Sequence, residues 1–348
     1  MINVQRAQKI LSKAKGKQVL SCGDVMLDGY MTGTVDRFSQ EAPVPVIAVQ
    51  SEIFFPGGAG NAAACMSKIG INPHLIAVVG ASGRIDYSEI LKEECEKNRI
   101  NPVFVTDPLR KTTLKLRLAA IKTTKQHIAR VDIEDNFELG QEIQDQVIDK
   151  IKETFEKINP SAISIHDYKK GFLTEKIFRT LMEISKKNKL PVFADLKQET
   201  FIKFKNLIVA PELFYLKPNK DESVQTAKLI NGFNKDGNTD EEIAEIAKII
   251  QKKIPIHIII TRGKKGAALF EYGKKPFFVR PKETEAQFDV AGAGDTVEAF
   301  LVASYLGGAT MPEALEISVA SSQVAIRKFG TSIVTENEIL SWIKMHEQ

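Results

Sequence analysis

DVAGAGDTVEAF, residues Asp289–Phe300, is the stretch around which this 348-residue chain is organised. Gly292, Ala293 and Gly294 carry little or no side chain and stand directly before Asp295, and from Thr296 onward Val297, Phe300, Leu301 and Ser304 fall at helical spacing. The pattern predicts a tight turn feeding a helix. Glycines let a backbone approach a ligand closely, and the free N–H groups of a helix's first turn, at the positive end of its dipole, form an anion site. Asp295 is then a carboxylate held beside bound phosphate. That placement is electrostatically awkward, and it suits an acid that must take a proton from an attacking hydroxyl. From this window alone, an N-terminal helix residue favoured by the dipole is the other reading.

Upstream of the motif, helices and strands alternate. Helices are expected over 139–158, 174–187, 221–230 and 240–252, and strands over 162–166, 191–194, 213–216 and 256–261. Near-continuous apolar strands between helices predict a doubly wound, mostly parallel α/β sheet. A hairpin is expected over 267–280, and a last long helix over 312–328 closes the fold. No repeat, low-complexity tract or interdomain linker divides the chain, so it reads as a single domain, 1–348.

Open sheets of this kind bind ligands at the carboxyl ends of their strands. The polar residues expected there are Asp24 and Asp28 after the first strand, Asp167 and Lys170 in HDYKKG, Asp195 and Lys197, Asn219 and Glu222 in PNKDE, and Thr261, Gly263 and Gly266 in TRGKKG. Asp24 and Asp28 are candidates for contacting a hydroxylated substrate, or for turn and capping roles. Residues 31–55 change to turns and short extended pieces, and Pro43 and Pro45 argue for an edge strand. PGGAGN follows, in which Gly57, Gly58 and Gly60 permit close backbone approach. There Asn61 can hydrogen-bond sugar hydroxyls or simply cap a helix. Arg110, Lys111, Lys115, Arg117, Lys122, Lys125 and Arg130 lie in a segment without acids, where Leu114, Leu116 and Leu118 alternate with Lys115 and Arg117. This is a strand with one basic face, suited to an anionic small substrate or to solvent.

Composition removes several classes. A net charge of +4, from 48 Lys+Arg against 44 Asp+Glu, does not suggest generic nucleic-acid binding. Cys22, Cys65 and Cys95 are widely spaced and cannot all pair, which points to a reducing compartment. The charged N-terminus lacks a signal peptide's apolar region and no run reaches membrane-spanning length, so a cytoplasmic location is expected. No GxxxxGK[ST], GxSxG or HExxH motif occurs, and the five histidines are scattered. Gly58, Gly60 and Ala63 satisfy GxGxxG/A spacing, but the proline-interrupted stretch before them is a poor buried strand.

GGAGNAAACMSKIG, with Gly80 beyond the next strand, together with DVAGAGDTVEA, resembles the two signatures of the PfkB, or ribokinase-like, sugar kinases. Within that family the likeness is greatest to the D-glycero-β-D-manno-heptose 7-phosphate kinases of lipopolysaccharide-core biosynthesis. It is carried by GDVMLDGY, EAPVPV, LKLRLAAIKTTKQHIARVD, DYKKG and DTVEAF. The resemblance implies a three-layer ribokinase-like fold with a small β lid from two excursions, about 31–55 and 110–131. It implies phosphorylation of an anomeric hydroxyl by ATP, with Asp295 as general base, Gly292 in the catalytic turn, and the amides of Ala293, Gly294 and Asp295 stabilising the transferred charge. Asn219 and Glu222 would organise magnesium through water, and Lys197, Thr261, Gly263 and Gly266 would lie on the nucleotide side. Asp24, Asp28, Gly57, Gly58, Asn61, Arg117 and Lys170 would meet the sugar phosphate, the last two at its existing phosphate. A monovalent cation such as K+ is a further candidate cofactor, and a homodimer is the expected assembly. Asp195-Leu196-Lys197 departs from the family by lacking the usual proline, and the adenylyltransferase domain often fused to these kinases is missing, so a separate enzyme would act downstream. A kinase for another sugar or nucleoside and a catalytically silent sugar or nucleotide sensor are the alternatives.

Overall fold

The structure, a computed structural model, describes residues 2–121, 125–282, 292–328 and 333–347. Asp289, Val290 and Ala291 of the opening motif, and Lys122 of the basic segment, lie outside the described residues. The first helix, α1 (Val4–Ala14), is capped by the Asn3 side chain and turns Ala7, Ile10, Leu11 and Ala14 inward at helical spacing. After it, β1 (Gln18–Gly23) runs into a ribbon of two long strands, β2 (Val25–Phe38) and β3 (Pro45–Gly58). Next come α2 (Ala59–Lys68), β4 (Asn72–Gly80), α3 (Tyr87–Lys97), β5 (Asn101–Asp107), β6 (Leu114–Ile121) and β7 (Lys125–Ile133). The chain then alternates through α4 (Gln141–Ile158), β8 (Ala162–His166), α5 (Glu175–Asn188), β9 (Val192–Asp195), α6 (Gln198–Phe204) and β10 (Phe214–Leu216). It continues with α7 (Lys220–Asn231), α8 (Asp240–Gln251), β11 (His257–Thr261), β12 (Ala267–Phe270) and β13 (Phe277–Val279). Three helices end it: α9 (Ala293–Leu306), α10 (Met311–Ala325) and α11 (Glu336–Met345).

Nine strands form the main sheet in the order β13-β12-β11-β10-β9-β8-β1-β4-β5, parallel except at the β11–β12 and β12–β13 pairs. Alternate residues of its strands feed opposite cores, the period-two consequence of the pleat. Val192 and Ala194 pack with α4, α5 and α8 on one face, while Phe193 between them packs with α1, α9, α10 and α11 on the other. The result is a three-layer α/β fold. Residues Asp295–Ser304 of α9 are buried on every side, which makes it a core helix. Burial begins at Asp295, whereas Ala293 is part-exposed and Gly294 exposed, so the helix opens to solvent at its first residues with the acid just beneath.

A second sheet, β3-β2-β6-β7, stands apart from the first. It spans Val25–Gly58, wider than the expected 31–55, and Leu114–Ile133, which begins and ends later than the expected 110–131. Asp28 therefore sits inside β2, opposite Phe55 and Lys115, and not at a strand end as expected. β3 is an edge strand, as its prolines require. Three elements went unforeseen. β5 is the other edge of the main sheet, half exposed and opened by Pro102, so it lacks a buried strand's continuous apolar run. The short α6 follows the carboxyl end of β9. α10 does not close the fold, because α11 follows it with a Thr335–Glu338 capping box and buries Ile339, Trp342 and Ile343.

Candidate active site

Gly292 turns left-handed (φ 75°) and admits the chain to α9 with no side chain capping the helix, so the first-turn amides lack an acceptor from that residue. Asp295 follows on the first turn and is 6% exposed. Tyr168 donates its hydroxyl to Oδ1 at 2.5 Å, and Asn61 donates Nδ2 to Oδ2 at 2.8 Å. Burial pushes the Asp295 carboxyl above its ordinary range, while these two donors pull it back. The outcome is a carboxylate with few water neighbours and oriented lone pairs. Asn61 reaches it because Gly58, at φ 60°, starts α2 directly beneath α9.

Asp24 ends β1 with both oxygens occupied. They accept the amides of Tyr168 at 2.7 Å, Lys170 at 3.0 Å and Phe172 at 3.1 Å, so this acid holds the loop that carries Tyr168. Burial raises its carboxyl and the neighbouring Asp167 charge adds to the rise, while the amides oppose it. A Cβ on Gly58 would come within 2.6 Å of the Asp24 carbonyl oxygen, and one on Gly57 within 2.4 Å of Asp28 Oδ2. The glycines are what let β3 lie against these two acids. Asp28 Oδ1 takes the Arg117 guanidinium at 2.7 Å, and Arg117 also stacks 5.1 Å from the Tyr30 ring centre. Lys170 reaches Glu134 at 2.6 Å and Asn136 at 2.9 Å. Asp24, Asp28, Gly57, Gly58, Asn61 and Arg117 are thus drawn together around the root of the second sheet, and both expected phosphate cations arrive already partnered by carboxylates. Beside them burial pushes the Lys115 ammonium below its ordinary range, against the pull of Asp28.

On the other side of Asp295, Thr261, Gly263 and Gly266 line a cavity of about 150 Å3 together with Ala293, Gly294 and Val297. Gly266 is held at φ 78°, where a Cβ would meet the Val279 carbonyl oxygen at 2.0 Å. Larger cavities, of 480 and 610 Å3, lie at the Gly80–Tyr87 loop and outside Tyr168 and Lys170. Volume does not pick out the chemistry here, because of these three cavities in the described residues the small one is walled by the turn before Asp295. Asn219 and Glu222 form the capping box of α7, and Glu222 Oε1 also takes Lys197 Nζ at 2.6 Å. Neither Lys197 nor Asn219 is part of the cavity wall. Among the described residues no three His, Cys, Asp or Glu side chains cluster as a metal cage. Glu222 Oε2 accepts the Asn219 backbone amide at 2.9 Å, so both its oxygens are taken and this carboxylate would meet a magnesium ion through that ion's waters.

Sequence reasoning passed over Tyr168 and Lys217. Lys217 follows β10 and pairs with Asp195 at 2.6 Å, with its own side chain 5% exposed. Its ammonium lies 3.7 Å from where a Cβ on Gly294 would stand, so it faces the glycine turn. The available signal was the one used elsewhere, a polar residue at the carboxyl end of a buried strand. Tyr168 lay inside HDYKKG, but no sequence rule distinguishes a tyrosine aimed at an acid from one packed in a core.

The profile of the pfkB family carbohydrate kinases matches residues 17–338. The chain belongs to that family. As a pfkB-family carbohydrate kinase it is an ATP-using phosphotransferase, and its three-layer sheet is the family's ribokinase-like fold. It is 33% identical over 336 residues to the bifunctional protein HldE of Hyphomonas neptunium, covering 96% of this chain and 65% of that one. With the bifunctional protein HldE of Vibrio parahaemolyticus the identity is 30%, over 95% of this chain and 64% of the other. The chain therefore spans just under two thirds of the length of these relatives. Escherichia coli phosphofructokinase-2 in complex with potassium superposes with a TM-score of 0.74 at 16% identity, over 95% of this chain and 99% of that one. Arabidopsis thaliana ribokinase complexed with ribose and ATP gives 0.65 at 17% identity, over 95% and 99%. At such identities the likeness is one of fold. No described helix of this pfkB-family chain is long and apolar enough to cross a membrane.

Proposed function

We propose that the chain phosphorylates the anomeric hydroxyl of D-glycero-β-D-manno-heptose 7-phosphate, giving the 1,7-bisphosphate, with Asp295 as general base. The observation that carries this reading is the Asp295 carboxylate itself, buried at the uncapped start of α9 between Asn61 and Tyr168, with a cation and a glycine-walled cavity on its other side. The choice of sugar rests on the motif likeness and on relatedness to the two-function proteins. Bound ATP supplies the phosphoryl group, and a magnesium ion bound with it would offset phosphate charge. Asp295 takes the sugar's proton as the hydroxyl attacks, and the amides of Ala293, Gly294 and Asp295 hold the equatorial charge of the group in flight. Lys217 places a positive charge beside that turn, while Asn219 and Glu222 would hold a magnesium ion through water. The second sheet acts as a lid that keeps out competing water, and Arg117 and Lys170 take the 7-phosphate in exchange for Asp28 and Glu134. The enzyme works in the cytoplasm as a homodimer, and an adenylyltransferase uses its product.

A second reading, a pfkB-family kinase for another sugar or sugar phosphate, is favoured by the carboxylate partners already on Arg117 and Lys170. ADP release measured on the purified chain across sugars with and without a phosphate separates the two. The heptose 7-phosphate is expected to give the highest kcat/KM; equal or better turnover of an unphosphorylated sugar selects the second reading. Asp295→Asn keeps the fold and ATP binding and lowers kcat by about 10²–10⁴. Near-normal turnover by that variant removes Asp295 from the mechanism.

A further inference from the structure

Glu298 lies one helical turn beyond Asp295 on α9, 1% exposed, and the mechanism above makes no use of it. Ser164 Oγ is 2.9 Å from Glu298 Oε1 and 2.8 Å from His166 Nε2, and those two atoms are 3.4 Å apart. A hydroxyl has one proton to give, so one of its two neighbours must donate in return. Glu298 Oε2 and His166 Nδ1 have no partner among the described residues. An ionised carboxylate with one orphan oxygen in this dry layer is costly. Its charged surroundings make it costlier. Asp195 from β9 and Asp295 from α9 are the acids nearby, Tyr168 hangs from the loop after β8, and among the described residues the cation nearby is Lys217, already bound to Asp195.

We infer that Glu298 is a positioning residue kept as a neutral carboxyl, so that the site below Asp295 carries one negative charge fewer, and that loss of its proton at alkaline pH stops phosphoryl transfer. The functional half of this rests on the kinase reading above. In the neutral arrangement Glu298 donates to Ser164 Oγ and Ser164 donates to His166 Nε2, which leaves the imidazole proton on the unpartnered Nδ1; in the ionised arrangement His166 Nε2–H donates to Ser164 and Ser164 donates to the carboxylate. Burial pushes the Glu298 carboxyl up to about 8, with Lys217 opposing and Asp195 adding to the rise, and burial pushes His166 down to about 4. The proton therefore rests on Glu298 at neutral pH while the imidazole is uncharged. Ionised, Glu298 would repel both the Asp295 carboxylate and the incoming polyphosphate across a medium that screens poorly.

The test begins with the unmodified chain labelled with carbon-13 at its glutamate carboxyls and titrated by NMR. One carboxyl is expected to remain protonated at pH 7 and to titrate near pH 8, and its signal should be absent from Glu298→Gln. Finding every glutamate ionised at pH 7 overturns the inference. This measurement needs no substrate, so a failure of the kinase reading leaves it intact. The pH profile of kcat/KM then tests the consequence. Wild type should lose about tenfold per pH unit above its alkaline limb, whereas Glu298→Gln should stay within roughly threefold of the wild-type rate at pH 7 and remain level to pH 9. A Gln variant with an unchanged alkaline fall overturns the functional half. A purely structural role would lower activity equally at every pH. If the Gln variant does not fold, the wild-type titration alone still decides where the proton lies.

Discussion

Replacing Tyr168 by Phe keeps the ring and removes one hydrogen bond to the proposed base. That bond, 2.5 Å from the Tyr168 hydroxyl to Asp295 Oδ1, stabilises the ionised carboxylate against a burial penalty that favours the protonated form. A hydrogen bond to a charged acceptor contributes about 1.5–3 kcal/mol. At about 1.4 kcal/mol per pH unit, its loss moves the Asp295 titration upward by about 1–2 units. Asn61, still donating at 2.8 Å to Oδ2, keeps the side chain oriented, so the geometry of attack survives. The assay is kcat/KM by coupled ADP release from pH 5 to 9, with the best sugar of the panel. In the Phe variant the acid limb should shift upward by that amount. Below both limbs the rate should fall by about 10–100-fold, and above them it should equal or exceed wild type, because a carboxylate relieved of a donor is the stronger base. An acid limb that stays in place, or moves to lower pH, refutes the assignment of that limb to Asp295. A loss equal at all pH values would mean that Tyr168 serves packing or substrate contact instead.

Asp195→Ala leaves the Lys217 ammonium buried without its partner. Urea unfolding should show a loss of about 3–5 kcal/mol, largely recovered in the Asp195→Ala/Lys217→Met double variant, and a loss under about 1 kcal/mol would mean that water reaches the lysine. Arg117→Ala should raise KM for phosphorylated sugars by about 10–100-fold, since it removes a charged hydrogen-bond donor and leaves Asp28 facing the phosphate. Equal effects on phosphorylated and unphosphorylated sugars would defeat the role of the basic strand.

Much of the fold was legible because it is written in local pattern. The apolar runs 162–166 and 256–261 could only be buried strands, and helices of matching period lie between them, which leaves a parallel sheet covered on both faces. The glycine turn before Asp295 was legible for the same reason, since small residues before a helix have few other uses. Asp28 was misplaced because β2 leaves β1 after a single residue and runs on as one strand, and nothing local separates a strand end from a strand that changes sheets. β5 and α11 were missed because an edge strand and a ten-residue helix leave short, weak patterns.

By itself the sequence determined the layers, the turn and the acid at its end, since these depend on neighbours a few residues apart. Only the tertiary structure decided what that acid feels. Asn61 and Tyr168 come from distant parts of the chain, 234 and 127 positions from Asp295. They meet it because β1 and β8 are sheet neighbours and α2 lies under α9. Burial, donor geometry and the proton on Glu298 are properties of that meeting, and a one-dimensional pattern carries no record of distances across a sheet.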